Sequence, residues 1–231
     1  DLLCTVNYIC HLFVVDRKII DQVGMLRKEY DGAQDYDFIF RCIEAVKPEE
    51  IYHVPKILYH WRCHEDSTAE NPESKTYAFE AGKRAIEAHY QRTGIDAEVH
   101  QGEFLGLYRT KFHRDHDPLI SIIIPNKDHI DDLKRCMDSI EQKSTYRNYE
   151  FIIVENNSTE DSTFEYYKEI EAQNPKVHVV YWDKEFNYSA INNYGATFAK
   201  GEYILLLNND TEIINEDCLE ELLGYCMRSD V

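Results

Sequence analysis

A doubly wound α/β fold with a mainly parallel sheet is predicted for residues 118–231. Three observations predict it. Short β-rich apolar runs recur, namely SIIIP, YEFIIVE, VHVVYW and YILLL. Stretches of helical periodicity separate them, and each run ends in a polar or amide cluster. Buried parallel strands read as continuous apolar runs, and their ligands gather at the carboxyl ends.

The elements follow in order. SIIIP is stopped by its proline as a buried strand would be. Asp131 to Glu141 has Leu133, Met137 and Ile140 on one helical face. YEFIIVE is the second strand, followed by the turn Asn156-Asn157-Ser158-Thr159, whose first three residues are expected to cap the next helix. That helix, FEYYKEIEAQ, ends near Asn174-Pro175. VHVVYW is the third strand, Asn187 to Ala199 a helix punctuated by Gly201, and YILLL the fourth strand, running into Asn208-Asn209-Asp210.

The first half reads differently. LFVVD is strand-like, IIDQVGML begins a short helix, and the turn DGAQDYD leads into the amphipathic helix DFIFRCIEAV, stopped at Lys47-Pro48. EEIYHVPKILYHW is read as extended. Ser74 to Arg92 is a helix with Tyr77, Ala81, Ala85 and Ala88 on its apolar face, closed by Thr93-Gly94. AEVHQGEFLGLYRTKFH reads as a small hairpin, and no internal repeat is present.

Composition narrows the function. With 43% apolar residues, 17 Tyr and 10 Phe, the chain can build a core. No apolar run approaches the roughly 20 residues of a membrane span. DLLCTVNYIC has neither a basic start nor a cleavage site, so the opening is not read as a signal peptide but as the middle of a longer protein. The 7 cysteines include no CxxC pair, which points to reduced thiols and a cytoplasmic setting. A net charge of −18 argues against nucleic acid and anionic membrane surfaces as partners. A nucleotide diphosphate would then need a divalent cation or helix N-termini to bridge two anions.

IIIPNKD, FIIVENNSTED and INNYGATFAKGEYILLLNNDTEI, in that order, resemble glycosyltransferase family 2, the inverting enzymes of GT-A fold, over essentially all of residues 118–231. The nearest flavour is the tandem transferases of O-antigen or rhamnan-type polysaccharide synthesis. The resemblance implies a nucleotide-sugar-binding half with Pro125, Asp128, Glu155, Asn157, Asn192, Asn193 and Asn208 at the donor. Glu155 stands where the family has Asp, and a carboxylate there can accept from the base or ribose. Asn208-Asn209-Asp210 stands for DxD, with Asp210 the ligand of a Mg²⁺ or Mn²⁺ ion that stabilises the leaving diphosphate. Asn208, an amide where the family has a carboxylate, is a poorer ligand. Glu155 and Asp210 are expected to face one crevice.

GAQDYDFIFRC resembles the family's acceptor-side motif, with Gln34-Asp35 for Glu-Asp. Inversion needs one carboxylate to deprotonate the acceptor hydroxyl, which makes Asp35 the base and Asp37 its alternative. Both also suit a helix N-terminus simply as charges favoured by its dipole. In LYHWRCHEDST, His60, with His64 as runner-up, matches the place of a further metal ligand in related transferases.

The acceptor half precedes the donor half, the reverse of a single GT-A domain. The chain is therefore read as residues 1–66, the acceptor half of one transferase domain; 67–117, a helix-and-hairpin connector; and 118–231, the donor half of the next. A circular permutant is the other layout. The implied partners are a nucleotide-diphosphate sugar and a glycan or lipid-linked glycan acceptor, with peripheral membrane association only through missing domains. A nucleotidyltransferase is disfavoured because IIIPNKDHIDD lacks a glycine-rich phosphate loop. A nucleotide-binding module without turnover is the competing reading, motivated by Asn208 and Gln34.

Overall fold

The structure is a computed structural model and describes residues 2–60, 76–229 and 231. It divides into two compact units, Asp1–His113 and Arg114–Val231.

Unit 1 opens with α1 (Leu2–Thr5) and α2 (Arg17–Val23). LFVVD forms no strand among the described residues; residues 13–16 are irregular. An apolar β-branched run becomes a strand only when a neighbour takes its backbone hydrogen bonds, and among the described residues none pairs with it. Its last residue instead caps α2, the Asp16 carboxylate accepting from the Lys18 N–H at 2.9 Å. Gly24 ends α2 at φ 82°. The amphipathic α3 (Gln34–Glu44) follows, then irregular residues 51–60, which are exposed. The helix α4 (Thr76–Thr93) leads into the antiparallel hairpin of β1 (Ala97–Gln101) and β2 (Tyr108–Phe112), as the glycine-flanked alternation predicted.

One core joins α3, α4 and the hairpin: Tyr36, Ile39, Phe40, Ala81, Ala85, Ile86, Tyr90, Val99, Tyr108 and Phe112 all bury together. The small residues of α4 let it approach closely. At Gly82, a Cβ would strike the Tyr108 hydroxyl at 2.1 Å. The helix and hairpin expected as a connector thus pack against the helix carrying Asp35.

Unit 2 contains β3 (Ile120–Asn126), α5 (Ile130–Lys143), β4 (Tyr149–Glu155), α6 (Asp161–Gln173), β5 (Val177–Tyr181), α7 (Tyr188–Ala196), β6 (Tyr203–Leu206) and α8 (Cys218–Cys226). The sheet is fully parallel in the order β5-β4-β3-β6. Its central strands carry uninterrupted apolar runs because helices cover both faces. Ile122, Ile124, Phe151 and Ile153 pack under α5, α6 and α8, while Ile123, Ile152 and Val154 meet Ile191 of α7. At Gly195 a Cβ would lie 2.7 Å from the Ile123 and Val154 side chains, so α7 sits directly on the sheet.

Candidate functional site

The carboxyl ends of β3, β4 and β6 and the start of α7 enclose a cleft of about 360 Å³. Pro125, Asn126, Lys127 and His129 come from the end of β3, Asn156 and Asn157 from β4, and Asn208 and Asn209 from β6. Phe186, Tyr188 and Ile191 enter from the loop before α7 and its first turns. A doubly wound sheet places its crevice at this edge because the strand ends there expose unpaired backbone and turn side chains. A second depression, about 430 Å³, runs along α5 from Asp131 to Lys143. Two of its charged side chains pair with each other, Lys143 and Glu212 at 2.7 Å.

Backbone conformation at these ends is unusual. Asp128, His129 and Asn157 all have φ between 45° and 58°. Such left-handed residues are costly except where surrounding bonds fix them. Here Asp128 is held from across the turn. Its carboxylate accepts the N–H groups of Thr159 (2.9 Å) and Glu160 (3.0 Å) and the Thr163 hydroxyl (3.3 Å). Burial alone would raise its pKa; these donors outweigh that and hold it below the ordinary carboxylate value.

Asp128 therefore takes the N–H groups at the start of α6, the capping role expected of Asn156, Asn157 and Ser158, and adds a negative charge that the helix dipole favours. The two Asn side chains instead tie down the loop after β5. Asn156 Nδ2 donates to the Trp182 and Lys184 carbonyls at 3.0 Å, and Asn157 Nδ2 to Lys184 O at 2.8 Å.

The expected common crevice of Glu155 and Asp210 does not form. Glu155 is 2% exposed and points inward. Its carboxylate accepts from the Ser158 N–H and hydroxyl, each at 2.6 Å, and from the Tyr167 hydroxyl at 2.7 Å. Glutamate is one methylene longer than the family's aspartate, enough to reach back beneath the turn. The Tyr167 hydroxyl in turn accepts from Asn126 Nδ2 at 2.7 Å, and Asn126 Oδ1 accepts from Asn209 Nδ2 at 2.7 Å. One hydrogen-bonded row thus ties the ends of β4, β3 and β6 together. Burial pushes the Tyr167 phenol pKa well up, so it remains a donor.

Asp210 is exposed and does not line the cleft. Its negative charge reaches Cys136 of α5, whose thiol pKa is raised chiefly by burial and further by Asp210. Among the described residues no three His, Cys, Asp or Glu side chains gather as a ready-made metal cage. The 208–210 turn offers oxygen donors only, the Asp210 carboxylate and the Asn208 amide. That set fits a hard divalent cation that keeps most of its waters and takes its remaining ligands from phosphate.

Of the other expected donor residues, Pro125, Asn157 and Asn208 line the cleft. Asn192 is buried, its Nδ2 donating to Tyr188 O at 2.8 Å, and its Oδ1 has no partner among the described residues. Asn193 is exposed on α7. Sequence reasoning missed Phe186 and Tyr188. The signal was present: two aromatic residues flank Asn187, the N-cap of α7, in the loop that follows β5.

In unit 1, Asp35 and Asp37 are separated by environment. Asp37 is 0% exposed and enclosed by guanidinium groups. Arg27 Nε and Arg41 Nε each donate to it at 3.0 Å, and Arg92 approaches to 3.9 Å. Arg41 also donates to the carbonyls of Val23 (2.6 Å) and Met25 (2.9 Å). Asp37 thus fixes the loop after α2 to α3 and offers no accessible carboxylate. Asp35 is only partly buried. Asn7 Nδ2 donates to its Oδ2 at 3.3 Å and the Tyr36 N–H to its Oδ1 at 2.9 Å.

The neighbouring Cys10 N–H donates to Asn7 Oδ1 at 3.2 Å, and the Cys10 thiol pKa is raised by burial and then by Asp35. His11 stacks on Tyr59 at 5.5 Å, which brings the segment carrying His60 to this N-terminal stretch. His60 itself is exposed. His64 lies outside the described residues. No helix among the described residues is long and apolar enough to cross a membrane.

Residues 121–230 match the family profile described as Glycosyl transferase family 2. The whole chain aligns with an uncharacterized protein, y4gI, of Sinorhizobium fredii, 41% identical over 232 residues and covering 26% of that protein. It also aligns along its full length with the O-antigen biosynthesis protein RfbC of Myxococcus xanthus, 38% identical and covering 18% of it. The chain therefore spans about a quarter or less of these curated relatives. Among solved structures, a mannosyltransferase of Pyrobaculum calidifontis in complex with GDP-Man and Mn²⁺ is similar at 16% identity and a TM-score of 0.46. That likeness covers 69% of this chain and 45% of the other, and is too distant to locate individual residues.

Proposed function

We propose, from the match of residues 121–230 to the profile of glycosyl transferase family 2, that the chain is part of a nucleotide-sugar glycosyltransferase of cell-surface polysaccharide synthesis. Unit 2 is the donor half of one catalytic domain. The observation that carries this is the amide- and aromatic-lined cleft at the strand ends, closed on one side by the first turn of α7 and bordered by Asn208 and Asn209. A UDP- or dTDP-sugar would lie across it, and Asn208 and Asp210 would hold a Mg²⁺ or Mn²⁺ ion that offsets charge on the departing diphosphate. The relation to an O-antigen biosynthesis protein supports a glycan or lipid-linked glycan as acceptor. We assign this work to the cytoplasm, with any membrane association supplied by other parts of the protein.

Unit 1 is the acceptor half of a preceding domain. Asp35 is the base for inversion there, because it is the carboxylate of the pair that solvent reaches, and His60 is the further metal ligand. Alignment of the whole chain within much longer relatives supports a tandem layout over a permuted one. The 231-residue chain, holding half of each domain, is then silent, while the full-length protein transfers sugar and loses that transfer with Asp35→Asn. Transfer by the 231-residue chain itself, abolished by the same substitution, would favour the permutant.

A second reading, a nucleotide-binding module without turnover, is favoured by one observation: among the described residues no carboxylate lines the cleft. Titration with UDP and dTDP separates the two. The transferase reading expects Mn²⁺ to tighten binding and Asp210→Ala to remove that gain. Tight, metal-independent binding that Asp210→Ala leaves unchanged would favour the module.

A further inference from the structure

The cleft has one feature that its role in holding a diphosphate does not use. Phe186 is 67% exposed and Tyr188 49% exposed, and both line it. Exposed aromatic rings normally lose water by packing into a core, and neither of these two belongs to a core cluster of the chain. Asn187 between them caps α7, its Oδ1 accepting the Ala190 N–H at 2.9 Å, so the residues on either side are set at the helix entrance. The loop that delivers them is pinned as well. Its Trp182 and Lys184 carbonyls are held by Asn156, and the Trp182 indole N–H donates to Glu185 O at 3.2 Å. Two rings held at a cleft mouth by a tethered loop are a prepared stacking surface.

The sheet order decides what stacks there. The loop carrying the rings comes from β5, next to β4, whose end presents the Asn156 and Asn157 amides. The cation-binding turn follows β6, on the far side of β3. From β4 to β6 is two strand spacings, about 10 Å, a distance that separates a nucleobase from the diphosphate it carries. Amides can also serve the donor and acceptor edges of a base.

We infer that Phe186 and Tyr188 form the stacking subsite for the nucleobase of a nucleoside diphosphate, with the amide-lined end of β4 beside the base edge. This rests on the donor-half reading of unit 2. It adds that base affinity resides in aromatic side chains of the β5–α7 loop, with the buried Glu155 contributing only through the turn it supports.

The test is titration of the 231-residue chain with UDP, dTDP and inorganic pyrophosphate, each with Mn²⁺. Phe186→Ala and Tyr188→Ala are each expected to weaken UDP and dTDP about tenfold and to leave pyrophosphate unchanged. Phe186→Tyr and Tyr188→Phe should retain wild-type affinity, since the ring is what matters. Both residues are surface-exposed, so truncation leaves the core intact. Unchanged UDP affinity in both alanine variants would overturn the inference, as would an equal loss for pyrophosphate. A loss seen with a UDP-sugar but not with UDP would place the rings against the sugar and overturn it too. Failure of the unsubstituted chain to bind any nucleotide would instead remove the donor-half reading beneath it.

Discussion

Each unit buries a carboxylate on the element next to its candidate site, and each satisfies it differently. In unit 1 Asp37 is surrounded by Arg27, Arg41 and Arg92. In unit 2 Glu155 is held by neutral donors, the Ser158 N–H and hydroxyl and the Tyr167 hydroxyl, and no cation pairs with it among the described residues. The first arrangement concentrates opposite charges in a small volume, where losing one partner strands the others. The second spreads the load over separate hydrogen bonds, each replaceable at modest cost. A buried acid can therefore organise a site through ion pairing or through hydrogen bonding alone, and the two should break in different ways.

The largest effect is expected from Asp37→Ala. It leaves the buried Arg41 without its carboxylate and should destabilise unit 1 by about 3–5 kcal/mol. Amide exchange resolved by segment should then show α3 and residues 23–27 losing protection while β3 and β4 keep theirs. Equal loss in both units would contradict the local character of the cluster. Tyr167→Phe tests the other arrangement. Glu155 keeps both Ser158 donors and Asn126 Nδ2 keeps the Asp128 carbonyl at 2.7 Å, so the cost should be only about 1–2 kcal/mol. Thermal unfolding of the variant measures it, and a loss as large as that of Asp37→Ala would erase the contrast.

Much of unit 2 was legible because its signals are local. Runs such as Ile122 to Ile124 and Phe151 to Val154 need both faces covered, and the amphipathic segments between them supply the cover. What escaped depends on contacts distant in sequence. The anion at the start of α6 is Asp128, 31 residues before the Thr159 N–H it accepts. The inward turn of Glu155 depends on Tyr167, 12 residues later. LFVVD has the composition of a strand, yet pairing is a property of two segments, and one segment cannot report whether its neighbour exists. Asp35 and Asp37 are indistinguishable by spacing at a helix start. Only the guanidinium groups brought in from Arg27 and Arg92 separate them.

The smallest expected effect concerns pH. Glu44 of α3 is partly desolvated, which raises its pKa, but hydrogen bonds from Arg92 and His89 outweigh this and hold it below the ordinary carboxylate value. Its stabilisation is then complete above the unfolded-state pKa and is lost as pH falls through the lower folded-state value. Glu44→Gln should flatten the acid limb of unit 1 unfolding below about pH 5 by no more than about 1 kcal/mol, read by urea denaturation across pH. A change confined to alkaline pH would reverse the sign and reject the assignment.

Gly201 sits at the opposite end of β6 from the 208–210 turn. A Cβ there would lie 2.6 Å from both the Leu119 carbonyl and the Ser121 nitrogen, and its own N–H donates to Ser121 Oγ at 2.8 Å. Backbone meets backbone with no room for a spacer, so the strand can enter the sheet at only one height. With six residues between that seat and the turn, the four of β6 making roughly 13 Å of extended chain, little slack remains to be taken up along the way. The missing side chain of one glycine thus acts as the datum from which the reach of Asp210 is measured.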